Sequence, residues 1–514
     1  MADAIGNNKR IAQNTFFLYL RMLFTMVVSL YTSRIVLSTL GIEDFGIYNV
    51  VGGIVAMFGF INGSMTTSTQ RYITFALGKK DENHLSDVFC TSLIIHGFIS
   101  IIVVILGETI GLWFLCNKMQ IPVERMEAAL WVYQCSIGTS IVLILSIPYN
   151  AVIIAYERMS AFAYISIFEV ITKLLVVYLL FFISSDKLIL YSILILTVQI
   201  LIRLCYSWYC RKVFAITEFK WIWDIKLLKE MTGLAGWSMF GNLAYISFTQ
   251  GINILLNIFF GPTINAARAI SVQIQNTVNQ LSFNFQMALN PQITKSYASG
   301  NMEYMHSLVL RSSKFTYYLL LILSLPLFIE TDAILRIWLN NFPSNTVVFV
   351  RLMLGVTILD AMANPLIVSA TATGRIKYYQ LVLGGILLTI LPISYVVLKM
   401  GASPSAVFIV HLGVCICSFV VRLLFLKYMI NLSLNIYFKE VCFRILCVTV
   451  PGGLFLILIY NIVPHSILGC IILYFTSMLV FVGLICYWGL DDMEKQFVLR
   501  KIKENIQKFE VRKK

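Results

Sequence analysis

The chain has 514 residues, of which 59% are hydrophobic and 12% charged, and its formal net charge is +14. Soluble domains carry about 25% charged residues, so this composition excludes an ordinary soluble protein. Together with a mean hydropathy of +0.83, it indicates a polytopic membrane protein. The first apolar stretch, which follows Lys9 and Arg10, is too long to be a cleavable signal peptide.

The apolar stretches predict fourteen transmembrane helices, since a bilayer core takes about 20 residues of helix. The predicted fold class is therefore all-α. An even number of spans places both termini on the same side of the membrane. In chain order the predicted spans are 12–38, 45–69, 87–115, 128–154, 161–183, 188–210, 232–259, 264–291, 309–330, 347–371, 379–399, 406–428, 445–463 and 467–489.

The loops on one side of this topology hold 27 Lys and Arg residues, and the opposite loops hold seven. Because basic residues concentrate in cytoplasmic loops, we predict that both termini are cytoplasmic. The net charge is explained by topology, and no nucleic-acid partner is expected. Five further cations fall inside predicted spans: Arg21, Arg34, Lys173, Arg203 and Arg422.

Two phrases at equal spacing indicate an internal repeat. "PYNAVIIAYER" begins at Pro148 and "PLIVSATATGR" at Pro365, and both place alanine seven and arginine ten residues after the proline. "IRLCYSWY" around Arg203 and "VRLLFLKY" around Arg422 recur at a similar offset, as do the Gly residues of "FALGK" and "YASGN". Spans 1–6 and 7–12 are therefore predicted to be two parallel six-helix copies.

The repeat predicts two lobes around a central cavity, as in transporters that alternate access. The predicted divisions are an N-lobe (1–210), an interfacial cytoplasmic connector (211–231), a C-lobe (232–430), spans 13 and 14 (431–489) and a basic tail (490–514). The connector and the tail each mix apolar and basic residues, which suits helices lying at the membrane surface. Pro148 and Pro365 are candidate hinges, and a static kink is an equal alternative.

Span eight carries amides on one helical face and apolar side chains on the other. Amides are not left facing lipid without partners, so we expect this face to meet water, substrate or another polar helix. Asn276, Asn279 and Gln280 of span eight and Asn253 of span seven are candidate ligands for a sugar-bearing substrate. The alternative is interhelical hydrogen bonding that only holds the helices together.

Arg21 lies near the middle of span one, where a cation costs about 2.5–3.5 kcal/mol or more. We expect it to bind an anion, and the alternative is a structural pair with a carboxylate on another span. Arg203 and Arg422 lie in the cytoplasmic third of their spans, where they could bind substrate or snorkel. Arg268 is expected near the outer end of span eight as an exit-side contact.

Two carboxylates inside spans are candidates for coupling transport to H⁺ or Na⁺. Asp360 lies near the middle of span ten without a nearby base in the sequence. Glu169 precedes Lys173 by four residues, the spacing of an intrahelical ion pair, so mutual neutralisation is the expected state of this pair.

The sequence contains no catalytic motif, so we expect the protein not to be an enzyme. Its five histidines are scattered, and neither a P-loop nor a GxGxxG sequence is present. The eleven cysteines are expected to be small core residues. Glu43 and Asp44 are the one acidic pair with catalytic potential, and capping of a helix is their alternative role. No cofactor and no metal are expected.

Three stretches resemble the multidrug/oligosaccharidyl-lipid/polysaccharide exporter superfamily, and within it the Wzx-type oligosaccharide-lipid flippases. They are residues 18–53, "NPQITKSYASGN" (290–301) and the paired Pro–Arg phrases. The resemblance implies a fourteen-helix fold that moves undecaprenyl-pyrophosphate-linked sugar units across a bacterial inner membrane. The lipid-linked oligosaccharide and the bilayer would be its partners, with the polysaccharide polymerase machinery a further candidate.

Two other functions within the superfamily remain open. A cation or drug antiporter typically has twelve spans and an acidic membrane site, whereas this chain has fourteen predicted spans and Arg21. A lipid II flippase also has fourteen spans and a cationic cavity. Outside the superfamily, a membrane glycosyltransferase would need a catalytic outer loop, and the predicted outer loops are short.

Overall fold

The computed structural model describes residues 2–56, 59–119, 121–182, 186–221, 224–339, 342–460, 462, 467–492 and 494–496, some of them by backbone alone. All regular elements of these residues are helical, which confirms the all-α fold class. Eleven helical segments among them are long and apolar enough to span a membrane. The other three predicted spans, 12–38, 45–69 and 264–291, also lie on helices.

The chain divides into two compact units. The first comprises residues 1–243, 287–302 and 371–381, and the second comprises residues 244–286, 303–370 and 382–514. The first half of the chain forms the helices α1 (Ala2–Ala56), α2 (Gly59–Lys79), α3 (Glu82–Leu106), α4 (Leu112–Lys118), α5 (Met126–Ala155), α6 (Met159–Leu179) and α7 (Lys187–Val213).

Eleven more helices follow in the second half. They are α8 (Ile225–Phe260), α9 (Pro262–Ala298), α10 (Met302–Ile329), α11 (Thr331–Leu339), α12 (Thr346–Ala372), α13 (Lys377–Leu388), α14 (Ile390–Lys399), α15 (Ala406–Ile430), α16 (Leu434–Tyr437), α17 (Arg444–Tyr460) and α18 (Ile467–Leu484). The first unit thus also contains the C-terminal end of α9 and the turn between α12 and α13. The predicted lobe boundaries remain a prediction.

α1 is two helices joined at a sharp bend. Gly41 has φ +83° and ψ 170°, which is not helical, and only glycine adopts this conformation readily. The bend falls between the predicted spans 12–38 and 45–69, so the chain separates these two spans with one glycine and no long loop.

The two Pro–Arg phrases fold alike. Pro148 lies inside α5, which ends at Ala155, and Pro365 lies inside α12, which ends at Ala372. The residue two positions after each end is left-handed, with φ +58° at Glu157 and +76° at Gly374. Equal helix ends and equal turns at the same offset support the internal repeat.

Each unit has its own apolar core. In the first unit, Phe89 of α3 and Tyr149 of α5 meet edge to face at 5.4 Å within a cluster that includes Val177 and Ile202. In the second unit, Phe349 of α12 and Phe408 of α15 lie 4.3 Å apart and pack with Phe248 of α8. Aromatic pairs of this kind add about 0.5–1.5 kcal/mol to burial alone.

The described residues of the connector 211–231 do not form one separate helix. They form the end of α7, a 3-10 turn at Ala215–Thr217, an irregular stretch and the start of α8. The position of the connector at the membrane surface stays a prediction. Asp224 begins α8 by accepting from the backbone amides of Lys226 and Leu227 at 2.9 and 3.1 Å, which is an N-cap. Because α8 begins at this cap, the last residues of the connector are part of α8 and not of a separate surface helix.

The tail 490–514 lies mostly outside the described residues, so its predicted amphipathic helix stays a prediction. The described start of the tail carries Glu494, which is buried and accepts a hydrogen bond from Lys314 of α10 at 2.6 Å. This ion pair attaches the beginning of the tail to the second unit.

Candidate functional site

Arg268 is the central cation of the candidate site in the second unit. It is only 7% exposed, and its Nη2 donates to the carbonyl oxygen of Thr249 in α8 at 2.8 Å. Its Nη1 donates to Oδ1 of Asn253, which in turn donates to Gln250. The Nε donor is buried and, within the described part of the chain, has no acceptor. The guanidinium is thus held in place by two contacts with α8, and these leave part of its capacity to donate hydrogen bonds unused.

A cavity of about 260 Å³ opens beside Arg268, and its lining is amide-rich. Asn253, Gln275 and Asn276 line it together with the aromatic rings of Tyr245 and Phe408. Amides offer both donors and acceptors, and aromatic faces suit the apolar faces of a sugar ring. The volume is close to the lower limit of about 300 Å³ for a ligand pocket.

The two faces of α9 differ in their surroundings. Val278 is buried and packs, with Ile270, Ile274 and Leu281, against α10 and α12. Asn276 and Gln280 on the other side are exposed, and Asn279 is half-buried. Asn253 and Asn276 line the cavity, whereas Asn279 and Gln280 are not part of its described lining.

Asp360 and Arg422 attract each other electrostatically in the second unit. Asp360 lies on α12, and the guanidinium of Arg422, on α15, is the charged group that acts on it. Tyr245 and Cys415 also lie within the electrostatic range of Asp360. Asp360 has no nearby base in the sequence, and the cation that acts on it comes from α15 instead. Its role in ion coupling stays a prediction.

Arg21 belongs to a charged cluster in the first unit. Its guanidinium lies 4.9 Å from the ring centre of Phe162 on α6 and within the electrostatic range of Tyr206 and Glu169. Glu169 also binds Lys173 at 2.6 Å and accepts from Gln199 at 3.0 Å. The predicted Glu169–Lys173 ion pair is thus present, and the same carboxylate acts electrostatically on Arg21.

Arg203 stacks on an aromatic ring in the first unit. Its guanidinium lies 4.8 Å from the ring centre of Tyr149 on α5, and its buried Nη1 has no acceptor among the described residues. Arg203 and Arg422 are each the seventeenth residue of their helices, α7 and α15. Equivalent cations thus meet different neighbours in the two copies, an aromatic ring in one and a carboxylate in the other.

Pro148 and Pro365 are both buried inside continuous helices. Each removes one backbone hydrogen bond from its helix. These positions are compatible with either a hinge or a static kink.

The turns that follow the two prolines each receive a cation from the other half of the chain. Glu157, after α5, is fully buried and is bound by Lys295 of α9 at 2.6 Å and by Gln292 at 2.7 Å. In the equivalent turn, Arg71 of α2 donates to the carbonyl oxygen of Ala372 at 2.9 Å. The two contacts are reciprocal, since α2 and α9 carry spans two and eight of the repeat.

Sequence reasoning missed these reciprocal contacts, and it did not predict the contacts of Arg268 with α8. The exit-side position of Arg268 stays a prediction. Arg268 and Asn253 are 15 residues apart in the sequence. Their contact can be predicted only once α8 and α9 are known to lie side by side. The repeat offset was the available signal for the turns, because it aligns Glu157 with Gly374.

The remaining predicted charges lie elsewhere. Asp44 binds Arg125 through two hydrogen bonds, one of 2.8 Å to Nε, and Arg125 also binds Asp186 at 2.6 Å. The side chains of Arg34 and Glu43 lie outside the described residues. Among the described residues, no group of three His, Cys, Asp or Glu side chains has a metal-binding arrangement.

The fold is similar to that of solved transporters. An outward-facing multidrug resistance MATE family transporter of the MOP superfamily matches with a TM-score of 0.73 and 12% identity, and MATE in a bent conformation with 0.72 and 12%. A MOP superfamily transporter from Pyrococcus furiosus, described as having a binding pocket of reverse polarity that suggests a different function, matches with 0.69 and 13%. Each match covers 83% of this chain and 96% of the other. No family model and no curated protein sequence matches.

Proposed function

We propose that this chain, which has the fold of MATE-type transporters, is a flippase for undecaprenyl-pyrophosphate-linked oligosaccharides. The observation that carries the proposal is buried Arg268 in a cavity lined by amides. Guanidinium groups match phosphate oxygens in charge and geometry, and amides match sugar hydroxyls. The substrate would move from the inner to the outer leaflet of a bacterial inner membrane.

The first unit supports the same substrate charge. Glu169 binds Lys173 and acts electrostatically on Arg21, and we infer that these two cations beside one carboxylate attract anions. An organic cation would meet like charge at both Arg21 and Arg268, which makes a drug substrate less favourable than a pyrophosphate.

In the transport cycle, the contacts between the two halves of the chain at the predicted cytoplasmic side must break and form again. The pyrophosphate and sugars enter from the cytoplasm, the polyprenyl chain stays in lipid, and rocking of the halves exposes the headgroup outside. The reciprocal contacts of Lys295 with Glu157 and of Arg71 with Ala372 must open for substrate to enter. An inside-negative potential favours outward anion movement by about 2.3 kcal/mol per charge per 100 mV.

A cation or drug antiporter driven by H⁺ or Na⁺ is the second candidate function. It is favoured by one observation, the carboxylate of Asp360 inside the membrane-spanning helix α12. Arg422 faces that carboxylate, and a neighbouring guanidinium opposes the binding of a second cation. We therefore assign Asp360 to ion coupling of flippase activity and retain the antiporter as an outcome of the test.

The test is transport by the purified protein in proteoliposomes. A fluorescent undecaprenyl-pyrophosphate-linked oligosaccharide should lose its accessibility on one leaflet in the presence of wild-type protein. The Arg21→Ala and Arg268→Gln variants should abolish this movement while keeping helix content and unfolding temperature. Arg336→Gln is the matched control, since Arg336 is exposed and pairs only with Asp332 of its own helix among the described residues.

The same vesicles separate the alternatives. Movement of lipid II at an equal rate would assign the lipid II flippase function instead. Efflux of organic cations without lipid movement would assign the antiporter function and contradict the proposal.

A further inference from the structure

A pocket of about 620 Å³ lies in the first unit at the predicted cytoplasmic side, apart from Arg21 and Arg268. Four segments form it: the end of α2, the start of α3, the start of α8 and the turn between α12 and α13. We call it the basic pocket. Its volume is within the range of about 300–1,000 Å³ typical of small-ligand sites.

The basic pocket has a large excess of positive charge. Five cations line it, namely Arg71, Lys79, Lys229, Arg375 and Lys377, and Glu230 is the one carboxylate in the lining. Five positive charges against one negative leave a net charge of four. Among the residues that the structure describes, no carboxylate lies within 4.0 Å of any of the five.

Aromatic rings hold several of these cations in place. Arg71 lies 4.6 Å from the ring centre of Tyr72 and 4.5 Å from that of Phe75, and Lys79 lies 4.8 Å from Phe75. Lys377 lies 5.3 Å from the ring centre of Trp237. Each such contact is attractive and restricts the side chain. The pocket therefore presents positioned cations.

Two features distinguish this pocket from the general excess of basic residues in cytoplasmic loops. First, its cations come from both halves of the chain and line the same pocket. Second, Gly374 leaves space for the guanidinium of Arg71. A Cβ at Gly374 would lie 2.7 Å from Nη2 of Arg71, and φ is +76° at this glycine. The turn is thus shaped around the guanidinium. Topology alone requires neither convergence nor this close approach.

We propose that the basic pocket binds a pyrophosphate or phosphate group presented at the cytoplasmic surface, and so receives the lipid-linked substrate before it crosses. Combined Arg and Lys side chains are typical phosphate ligands. The assignment to the substrate rests on the proposed function. A headgroup of an anionic phospholipid carries the same phosphate chemistry and is the other possible source.

The test measures binding of inorganic pyrophosphate to detergent-purified full-length protein by calorimetry. The Lys229→Gln/Lys377→Gln variant should raise the dissociation constant at least tenfold, while the guanidinium of Arg71 stays in place. The matched control is Arg211→Gln/Lys212→Gln, which removes the same charge from exposed residues of α7 outside the pocket and should change the constant less than twofold. Equal weakening by both variants, or no binding by the wild type at millimolar pyrophosphate, would overturn the proposal.

Nanodiscs distinguish the two phosphate sources. If the substrate is the ligand, pyrophosphate should bind equally well in phosphatidylcholine and in phosphatidylglycerol nanodiscs, and the pocket variant should raise the KM for lipid-linked oligosaccharide. Competition by phosphatidylglycerol with an unchanged KM would contradict the substrate assignment. Pyrophosphate binding without any oligosaccharide transport by the wild type would refute the proposed function and leave the phosphate site standing.

Discussion

The ammonium group of Lys295 lies 2.6 Å from Oε1 of Glu157, whose side chain is fully buried in a left-handed turn. Lys295 belongs to the second half of the chain and Glu157 to the first. A buried carboxylate is stable only when it is paired and hydrogen-bonded, so this contact joins the two halves within one compact unit.

The Lys295→Met variant should destabilise the protein by about 3–5 kcal/mol, because it removes a cation that binds a buried carboxylate. Glu157→Gln should cost less, since Lys295 is 18% exposed and can reach water. The measurement is the free energy of chemical unfolding in detergent. The double variant should lose less of this free energy than the sum of the losses in the two single variants.

The control is the ion pair of Asp332 with Arg336, in which both side chains are at least half exposed. Asp332→Asn should leave stability unchanged, because exposed pairs contribute little. An equal loss from both pairs would show that burial of Glu157 has no special weight.

Gly41→Ala should destabilise the protein by about 1–3 kcal/mol, since φ +83° is strained for any side chain. Gly97→Ala is the matched control. Gly97 lies inside α3, and a Cβ there meets no atom within 4 Å, so the variant should be neutral or up to about 1 kcal/mol more stable. Thermal unfolding of both variants measures the difference, and equal values would refute the assigned bend.

Acidification should weaken the contacts around Asp186. Partial burial raises the pKa of Asp186, but hydrogen bonds from Arg125 and from the amides of Ile189 and Leu188 outweigh it, so the pKa lies below its ordinary value of 3.8. A depressed pKa in the folded state contributes stability above the unfolded value, and this contribution is lost as the pH falls through the folded pKa.

The loss is therefore expected below about pH 4. The Asp186→Asn variant should be less stable than the wild type at neutral pH and should approach it at the acidic end. Unfolding temperatures at a series of pH values measure this convergence, and parallel curves would contradict it.

Asp360→Asn should uncouple transport from an ion gradient. The variant keeps the shape of the side chain and removes the charge that faces Arg422. We expect oligosaccharide movement to continue without stimulation by an imposed H⁺ or Na⁺ gradient. Flux measured with and without each gradient tests this, and unchanged stimulation would exclude Asp360 as the coupling site.

Helix positions and the repeat were predictable from sequence, because both depend on local pattern. The length of the apolar stretches predicts the spans. The equal spacing of the two Pro–Arg phrases predicted the repeat, and the helices that carry these phrases end at equivalent residues, Ala155 and Ala372. Partners distant in sequence were not predictable. The neighbour of Asp360 comes from α15, and the acceptor of Arg71 comes from α12, which no local pattern specifies.

The connector shows why local pattern also fails in places. Its mixture of tryptophan and lysine predicted a surface helix, but Asp224 caps α8 inside that stretch. Because Asp224 starts α8 within the connector, the residues after it belong to α8 and not to a separate surface helix. Helical periodicity separates the amide face of α9 from Val278 and the apolar face, but it did not show that Gln286 is buried and donates to the carbonyl oxygen of Ala361.

Transport of a pyrophosphate-linked oligosaccharide by the purified wild-type protein, compared with Arg268→Gln, tests the central claim most directly. The account predicts movement of the lipid by the wild type and its loss in a variant that stays folded, with Arg336→Gln at wild-type rates. Wild-type rates in a folded Arg268→Gln protein, or efflux of organic cations with no lipid movement, would contradict it.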